Sequence, residues 1–175
     1  GFEVLRQVYP MLGMTPGLIL APGWSHIPDV GIVLAAKCEE INGYFTCEGF
    51  IDIDSTESGC VAYDKVKQAK EAAGCTSKHI MALWPCVAAG SAWFWYSAIM
   101  AALTAYLDAS NDDVPNLSPS NKLIGITGTV LADGKTEVVL DQLQGNAVNS
   151  FGVTTAINVN GWRTWGNRSA IYPAS

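Results

Sequence analysis

The residues best suited to chemistry are a serine, two histidines and two aspartates. Ser25 and His26 lie in the segment GWSHI, His79 is the other histidine, and Asp52 and Asp54 end the segment FIDID. A serine, a histidine and an aspartate brought together by folding could form a hydrolytic triad, in which the histidine takes the proton of the serine hydroxyl. One interpretation is therefore an α/β hydrolase that uses Ser25, or another serine, with His79.

The sequence around Ser25 argues against that interpretation. In the G-x-S-x-G motif a second glycine lets helix and strand pack closely around the exposed serine, and Ile27 takes its place here. His26 is adjacent to Ser25 in sequence and is poorly placed to activate it. His79 begins a predicted buried strand, where a hydrogen-bonded structural role is common. We therefore expect no catalytic residues and a protein that is not an enzyme.

Asp52 and Asp54 alternate at the end of a predicted strand, so their side chains should point to opposite faces of the sheet. Carboxylates at the carboxyl ends of parallel strands could bind Mg²⁺. They could also cap the following loop by accepting hydrogen bonds from backbone N–H groups. Capping is favoured because no third acidic ligand is visible nearby, and we predict no metal site.

Two other patterns do not support a cofactor. The segment GTVLADGKT resembles a phosphate-binding loop, but Gly128 and Gly134 are too far apart for that motif, and Asp133-Gly134 fits a tight hairpin turn better. The 5 cysteines are odd in number, none forms a CxxC pair, and only 2 histidines could join them as metal ligands. Reduced, buried thiols and no cofactor are expected.

Composition restricts the partners. The net charge of −6 argues against nucleic acid, since binding to phosphates requires a basic surplus. Only 15% of the residues are charged, while 49% are hydrophobic, against about 25% charged in ordinary globular chains. Two explanations stay open: part of the surface is covered by neighbouring subunits, or a large core lies beneath a surface rich in Ser, Thr, Asn and Gly.

Residues 85–107 carry no charge and are long enough to cross a bilayer as a helix. They hold few Leu and Ile, several small residues and no flanking Lys or Arg. A helix that is apolar on all sides can equally lie at the centre of an α/β domain. We therefore predict a central buried helix and no membrane insertion.

Short apolar runs alternate with helical patterns along the chain. The predicted strands cover 17–23, 49–54, 78–85 and 152–159, a hairpin covers 129–140, and the predicted helices cover 29–41, 61–74, 85–107 and 141–150. This alternation predicts a mostly parallel β-sheet with helices on both faces. We interpret residues 1–175 as a single α/β domain. The chain lacks an initiator Met, and we expect it to be a fragment of a longer protein.

Four segments occur in an order and at distances that resemble the central region of contractile phage tail sheath proteins. They are PGLILAPGWSHIPDV, FIDID, LSPSNK and INVNGWRTWGNR. The residues that carry the resemblance are Pro22, Gly23, Asp52, Ser118, Pro119, Ser120, Asn121, Gly161, Trp162, Arg163, Trp165 and Gly166. The resemblance implies a subtilisin-like layer architecture without a catalytic triad.

The resemblance also implies a structural function. Sheath subunits polymerise helically around a tail tube, and the sheath contracts to drive that tube through the bacterial envelope. The implied partners are other sheath subunits, the tail tube protein, and the baseplate and tail terminator proteins. The implied locations are the virion tail and, during assembly, the host cytoplasm. The terminal arms and the C-terminal domain of such subunits are expected to be absent from this chain.

The stretch VNGWRTWGNRSAIYP, residues 159–173, combines the residue types that are most enriched at binding hot spots. Two structural interpretations stay open. In one, Trp162 and Trp165 pack onto the domain after the last strand, and Arg163 and Arg168 pair with acidic residues or carbonyls. In the other, the stretch is the junction to a following domain, with the tryptophans at that junction. The resemblance favours a mixture, in which Trp162 and Gly166 shape the exit of the chain and Arg163 and Arg168 are available for the junction.

Overall fold

The computed structural model describes residues 1–173. A 3₁₀ helix at Phe2–Gln7 precedes five α-helices: α1 (Val8–Leu12), α2 (Pro28–Glu39), α3 (Val66–Ala72), α4 (Tyr96–Ala109) and α5 (Gln142–Ser150). The strands are β1 (Leu18–Leu20), β2 (Glu48–Asp52), β3 (Ile80–Leu83), β4 (Cys86–Ala89), β5 (Ala92–Phe94), β6 (Gly128–Val130), β7 (Val153–Asn158) and β8 (Trp162–Trp165).

The main sheet has five strands in the order β1-β2-β3-β7-β8. The first four run parallel, and β8 is antiparallel to β7. Strands β1, β2 and β3 are consecutive along the chain and separated by helices, as the alternation of patterns predicts. The mostly parallel α/β sheet expected from the sequence is confirmed.

Helices cover both faces of this sheet. On one face, Leu34 of α2, Val66 of α3 and Val148 of α5 pack with the buried side chains of the strands. On the other face, Tyr96 and Met100 of α4 pack against the sheet. The 5 cysteines all lie buried as free thiols. The burial of apolar surface on both faces fixes the register of the central strands.

The single helix predicted for residues 85–107 is wrong in its first half. Residues 86–94 instead form the hairpin β4–β5, in which Ala89 pairs with Ala92. Gly90 adopts φ = 64° in the turn, and the Gly-Ser pair between two apolar runs is a local signal for a hairpin. Helix α4 is also not buried all round, since Tyr106 is 70% exposed. None of the helices in the described part of the chain is long and apolar enough to cross a membrane.

A second sheet has three strands in the order β5-β4-β6. It stays attached to the main sheet because β4 follows β3 almost directly. The turn predicted at Asp133-Gly134 is present. Asp133 Oδ1 accepts hydrogen bonds of 2.8 Å from both Lys135 N and Thr136 N. The helix predicted from Asp141 is confirmed by a capping box, in which Asp141 and Gln144 each bind the other's backbone N–H.

Candidate functional site

A buried polar cluster lies at the carboxyl end of β2. Asp52 is 3% exposed and accepts hydrogen bonds from three donors: Ser97 N at 2.8 Å, Ser97 Oγ at 2.6 Å and Ser25 Oγ at 3.2 Å. Ser25 Oγ in turn accepts from the backbone N–H of Asp52 at 3.1 Å. The cluster therefore ties the loop after β1, the end of β2 and the first turn of α4 together.

The electrostatics of the cluster are set by burial. Removal of the Asp52 carboxylate from water raises its pKa to about 6, and the hydrogen bonds from Ser97 and Ser25 oppose that rise. A buried carboxylate with three donors is satisfied. It could orient a neighbouring group or stabilise a helix start, but no imidazole contacts it. Sequence reasoning missed Ser97, because its pairing with Asp52 is visible only in three dimensions.

The hydrolase interpretation, Ser25 with His79, is not supported by the geometry. Ser25 follows β1 at the carboxyl edge of the sheet, whereas His79 immediately precedes β3 and lies at the opposite edge. His79 Nδ1 instead lies 3.5 Å from Glu48 Oε1. Because β1, β2 and β3 run parallel, no small movement of a side chain brings that imidazole to Ser25.

Asp54 has the local capping role favoured by its position. Its Oδ1 accepts a hydrogen bond of 2.9 Å from Thr56 N, and its carbonyl oxygen accepts one of 2.7 Å from Cys60 N. Gly59 lies so close to Asp54 that a Cβ there would be 2.5 Å from the carboxyl carbon. Among residues 1–173, no group of three or more His, Cys, Asp or Glu side chains is placed to hold a metal ion.

His26 belongs to a row of aromatic side chains. Its ring stacks on Trp95 with centroids 4.3 Å apart, and Trp95 meets Trp93 edge to face at 6.1 Å. A Cβ at Gly23 would lie 3.5 Å from the Trp95 indole nitrogen, and one at Gly134 would lie 2.3 Å from the Trp93 ring. The row thus joins the loop after β1 to the three-stranded sheet, and Gly23 of the APG segment, where φ = 79°, lies beside it.

A cleft of about 460 Å³ opens beside His26, between α2 and α3, at the carboxyl edge of the sheet. Asp54 and Lys65 stand at its wall, and Ala69 and Ala72 of α3 form part of its apolar lining. Ser25 does not line the cleft, because it is buried beneath Asp52. The cleft therefore does not present the Ser25 hydroxyl to a substrate.

The C-terminal stretch begins as strand β8, which the sequence did not predict. Trp162 is half-buried against the core on the α4 face of the sheet. Arg163 donates from Nε to the Val159 carbonyl at 3.2 Å and from Nη1 to the Asn121 carbonyl at 3.1 Å. Its guanidinium thus binds carbonyl oxygens, one of the two partners expected, and holds the LSPSNK loop against β8.

Thr164, which no sequence pattern identified, fixes the same loop from within. It is fully buried, its hydroxyl accepts from Lys122 N at 3.0 Å, and it donates to the carbonyl oxygen of Pro119. The backbone N–H of Asn121 also donates to the Thr164 carbonyl at 2.8 Å. Two of the four segments that carry the family resemblance, the LSPSNK loop and the WRTW strand, are therefore one structural unit.

Trp165, Gly166 and Arg168 pack on the domain. Trp165 Nε1 donates to Asn146 Oδ1 at 2.8 Å, and its ring contacts the core on the α5 face. Gly166 has φ = 149°, and a Cβ there would lie 2.8 Å from Thr154 Cα. Arg168 covers the Tyr172 ring at 3.9 Å. These contacts fit the packing interpretation of the stretch and leave its role as a junction a proposal.

Comparison with known proteins agrees with the resemblance. No family model matches the chain. Over 181 residues it is 24% identical to the tail sheath protein of Escherichia phage P2, and the match covers 97% of this chain and 41% of that protein. Its fold is similar to that of a chain in the cryo-EM structure of the anti-feeding prophage baseplate, with a TM-score of 0.65 and 18% identity.

That structural match covers 97% of this chain and 42% of the other. The chain therefore spans about two fifths of the length of each protein it matches. The likenesses confirm the resemblance to contractile tail sheath proteins and the α/β fold expected from it.

Proposed function

We propose that this chain is a structural domain of a contractile phage or prophage tail sheath subunit, which polymerises helically around a tail tube and drives it through the host envelope. The observation that carries the proposal is the likeness to the phage P2 tail sheath protein, which extends over 97% of the chain. The likeness in fold to a baseplate chain of a prophage particle supports a contractile-tail component.

The organisation of the domain suits a subunit that moves as a rigid body. The segments that carry the resemblance are separated in sequence, yet they are fastened to the main sheet: Asp52 at the end of β2 holds Ser25 and α4, and Thr164 of β8 holds the LSPSNK loop. A contracting lattice releases free energy by rearranging contacts between rigid subunits. Tight fastening of loops transmits such movements without internal deformation.

The surface also suits assembly. Several large apolar side chains are strongly exposed, among them Tyr44 at 91%, Leu143 at 79% and Tyr106 at 70%. The low charge fraction is compatible with the explanation in which neighbouring subunits cover part of the surface. The proposed partners are other sheath subunits, the tail tube protein, and the baseplate and tail terminator proteins. The proposed locations are the virion tail and the host cytoplasm during assembly.

We propose no catalytic role, since the Ser25 hydroxyl is hydrogen-bonded to Asp52 and lies at the opposite edge of the sheet from His79. Sedimentation of the full-length protein that contains this domain tests the proposed function. When it is co-expressed with its tail tube protein, the full-length protein should sediment as large rings or tubes. When it is purified alone, a serine-directed fluorophosphonate should not label it. A full-length protein that stays monomeric in the presence of the tube protein would remove the main support for the proposal.

A further inference from the structure

Residues 168–172, called the strap here, cross from β8 over the amino-terminal edge of the main sheet. The backbone N–H of Ala170 donates to the Ile80 carbonyl at 2.7 Å, where β3 begins. Gly152, which precedes β7, lies directly beneath the strap. It has φ = 72°, and a Cβ there would lie 2.1 Å from the carbonyl oxygen of Tyr172. The strap is therefore seated closely on the domain although it contains no regular strand or helix.

A buried lysine fastens the strap from below. Lys70 of α3 is 3% exposed, and its Nζ donates to the carbonyl oxygens of Phe151 at 2.6 Å, Ala170 at 2.9 Å and Tyr172 at 2.6 Å. An ammonium has three donors, so these three acceptors use its whole capacity. Within the described residues, no carboxylate lies within 4.0 Å of Lys70 Nζ. The groups in direct contact with the ammonium are therefore carbonyl oxygens.

The Lys70 ammonium and the strap each depend on the other to stay in place. Two of the three acceptors, Ala170 and Tyr172, belong to the strap, so lifting the strap would leave a buried ammonium with one partner. Burying an ion without partners is costly, and the lysine would have to move into water. Without the ammonium, in turn, three carbonyl oxygens would converge with no donor between them. Removal from water lowers the pKa of Lys70, as this environment requires.

The outer side of the strap is held more weakly. Arg168 Nη1 lies 3.5 Å from the Asn149 carbonyl, at the limit of a hydrogen bond, and the guanidinium covers the half-exposed Tyr172 ring. Exposed contacts of this kind are screened by water and contribute little to stability. Most of the fastening therefore comes from the buried ammonium and from the seat at Gly152.

We propose that Lys70 and the strap form a two-state latch. In the closed state the ammonium fills the cage of three carbonyl oxygens, and in the open state the strap and Lys70 are exposed together. The latch is a property of the domain itself. In a sheath, the latch would hold the end of β8 rigid while the lattice rearranges. This part of the inference rests on the proposed function.

The first test replaces the charge and keeps the length of the stem. In Lys70→Met, the Ala170 amide should exchange with solvent at least tenfold faster than in the wild-type domain, and trypsin should cleave after Arg168 correspondingly faster. The Trp84 amide, which donates to Thr154 within the main sheet, should keep its exchange rate. Lys67→Met is the matched control, because Lys67 lies on the same helix with an exposed side chain, and it should change neither amide.

Two outcomes of this test contradict the latch. One is an Ala170 amide that exchanges at the wild-type rate in Lys70→Met. The other is equal acceleration at Ala170 and Trp84, which would mean that Lys70 only stabilises the whole domain. Neither readout requires assembly, so the latch can fail while the proposed sheath function stands.

The reciprocal test leaves Lys70 in place and forces the strap out. Gly152→Ala introduces a methyl group beneath the Tyr172 carbonyl at a residue with φ = 72°. Gly90→Ala is the control, because Gly90 has a similar φ of 64° and its Cβ would meet nothing within 4 Å among the described residues. Acetic anhydride followed by mass spectrometry should modify Lys70 in Gly152→Ala and spare it in the control and the wild type. A released strap with Lys70 still unreactive would show that the two are not coupled, and an unmoved strap would show that it is not seated on Gly152.

Discussion

Ser97 donates two hydrogen bonds to Asp52, from N to Oδ1 at 2.8 Å and from Oγ to Oδ2 at 2.6 Å. The residue that precedes α4 is Trp95, whose side chain makes no capping hydrogen bond. The end of β2 therefore supplies the cap that α4 lacks in its own sequence, and it places a carboxylate at the positive end of the helix. Asp52, one of the residues that carry the family resemblance, thus has a structural role, which is to fix α4 on the sheet.

The first prediction concerns the pH dependence of stability. The pKa of Asp52 is raised to about 6 from 3.8, so its contribution to stability is fully present below about pH 3.8 and is lost as the pH rises through about 6. The shift corresponds to about 3 kcal/mol. In Asp52→Asn, which has nearly the same shape and does not titrate, the free energy of unfolding should fall less between pH 4 and pH 7 than in the wild type.

Urea denaturation at several pH values measures this difference. Other titrating groups, such as Asp133 with its lowered pKa, are present in both proteins and cancel in the comparison. Parallel pH profiles for the two proteins would show that the buried carboxylate does not titrate as described.

The second prediction concerns the contact between Gly134 and Trp93. Gly134→Ala adds a Cβ 2.3 Å from the Trp93 ring at a residue with φ = 68°, and it should lower the free energy of unfolding by about 2 kcal/mol or more. Gly128→Ala is the control, since a Cβ there meets nothing within 4 Å. With Trp93 replaced by Ala, the Gly134→Ala penalty should shrink to its backbone part. Equal penalties with and without the indole would refute the proposed contact.

The third prediction separates two buried threonines of the main sheet. Thr164→Val removes a hydroxyl that binds Lys122 and Pro119, and should cost about 1–3 kcal/mol because both backbone groups lose their partner. Thr155 is also fully buried, but its Oγ1 has no hydrogen-bond partner among residues 1–173. Thr155→Val should therefore be neutral or stabilising. Thermal melts of the two variants decide this, and equal losses would show that the hydroxyl of Thr164 does not hold the loop.

The fourth prediction concerns Trp162, which we propose to serve both packing and the junction. If packing dominates, Trp162→Ala should destabilise the isolated domain by about 2–3 kcal/mol, in proportion to its half-buried ring. If the junction dominates, the variant domain should melt like the wild type while the full-length protein fails to assemble. Melting temperature and sedimentation of the same substitution separate the two. A variant that is normal in both would remove Trp162 from either role.

Local sequence signals predicted much of the fold. The Asp141 capping box, the Asp133-Gly134 turn and Gly74 after α3, with φ = 64°, each encode their structure within a few residues. Alternating strands and helices predicted the parallel sheet. The hairpin β4–β5 was missed because an uncharged run fits a helix and a pair of strands equally well, and only Gly90-Ser91 distinguishes them.

The candidate site was less predictable, because its contacts join distant residues. Ser97 lies 45 positions from Asp52, and Lys70 lies 102 positions from Tyr172. A lysine in an amphipathic helix is normally solvated, so nothing local indicated that Lys70 is buried. Strand β8 was missed because its antiparallel pairing with β7 depends on the turn at Gly161, where φ is 101°.

Cryo-EM of the full-length protein assembled with its tail tube protein is the sharpest test of the proposed sheath function. We expect a helical tube in which the fold of residues 1–173 recurs once per subunit, with the LSPSNK loop and β8 in the arrangement described. Particles that contain the tube protein but no repeated copy of this α/β domain would contradict it.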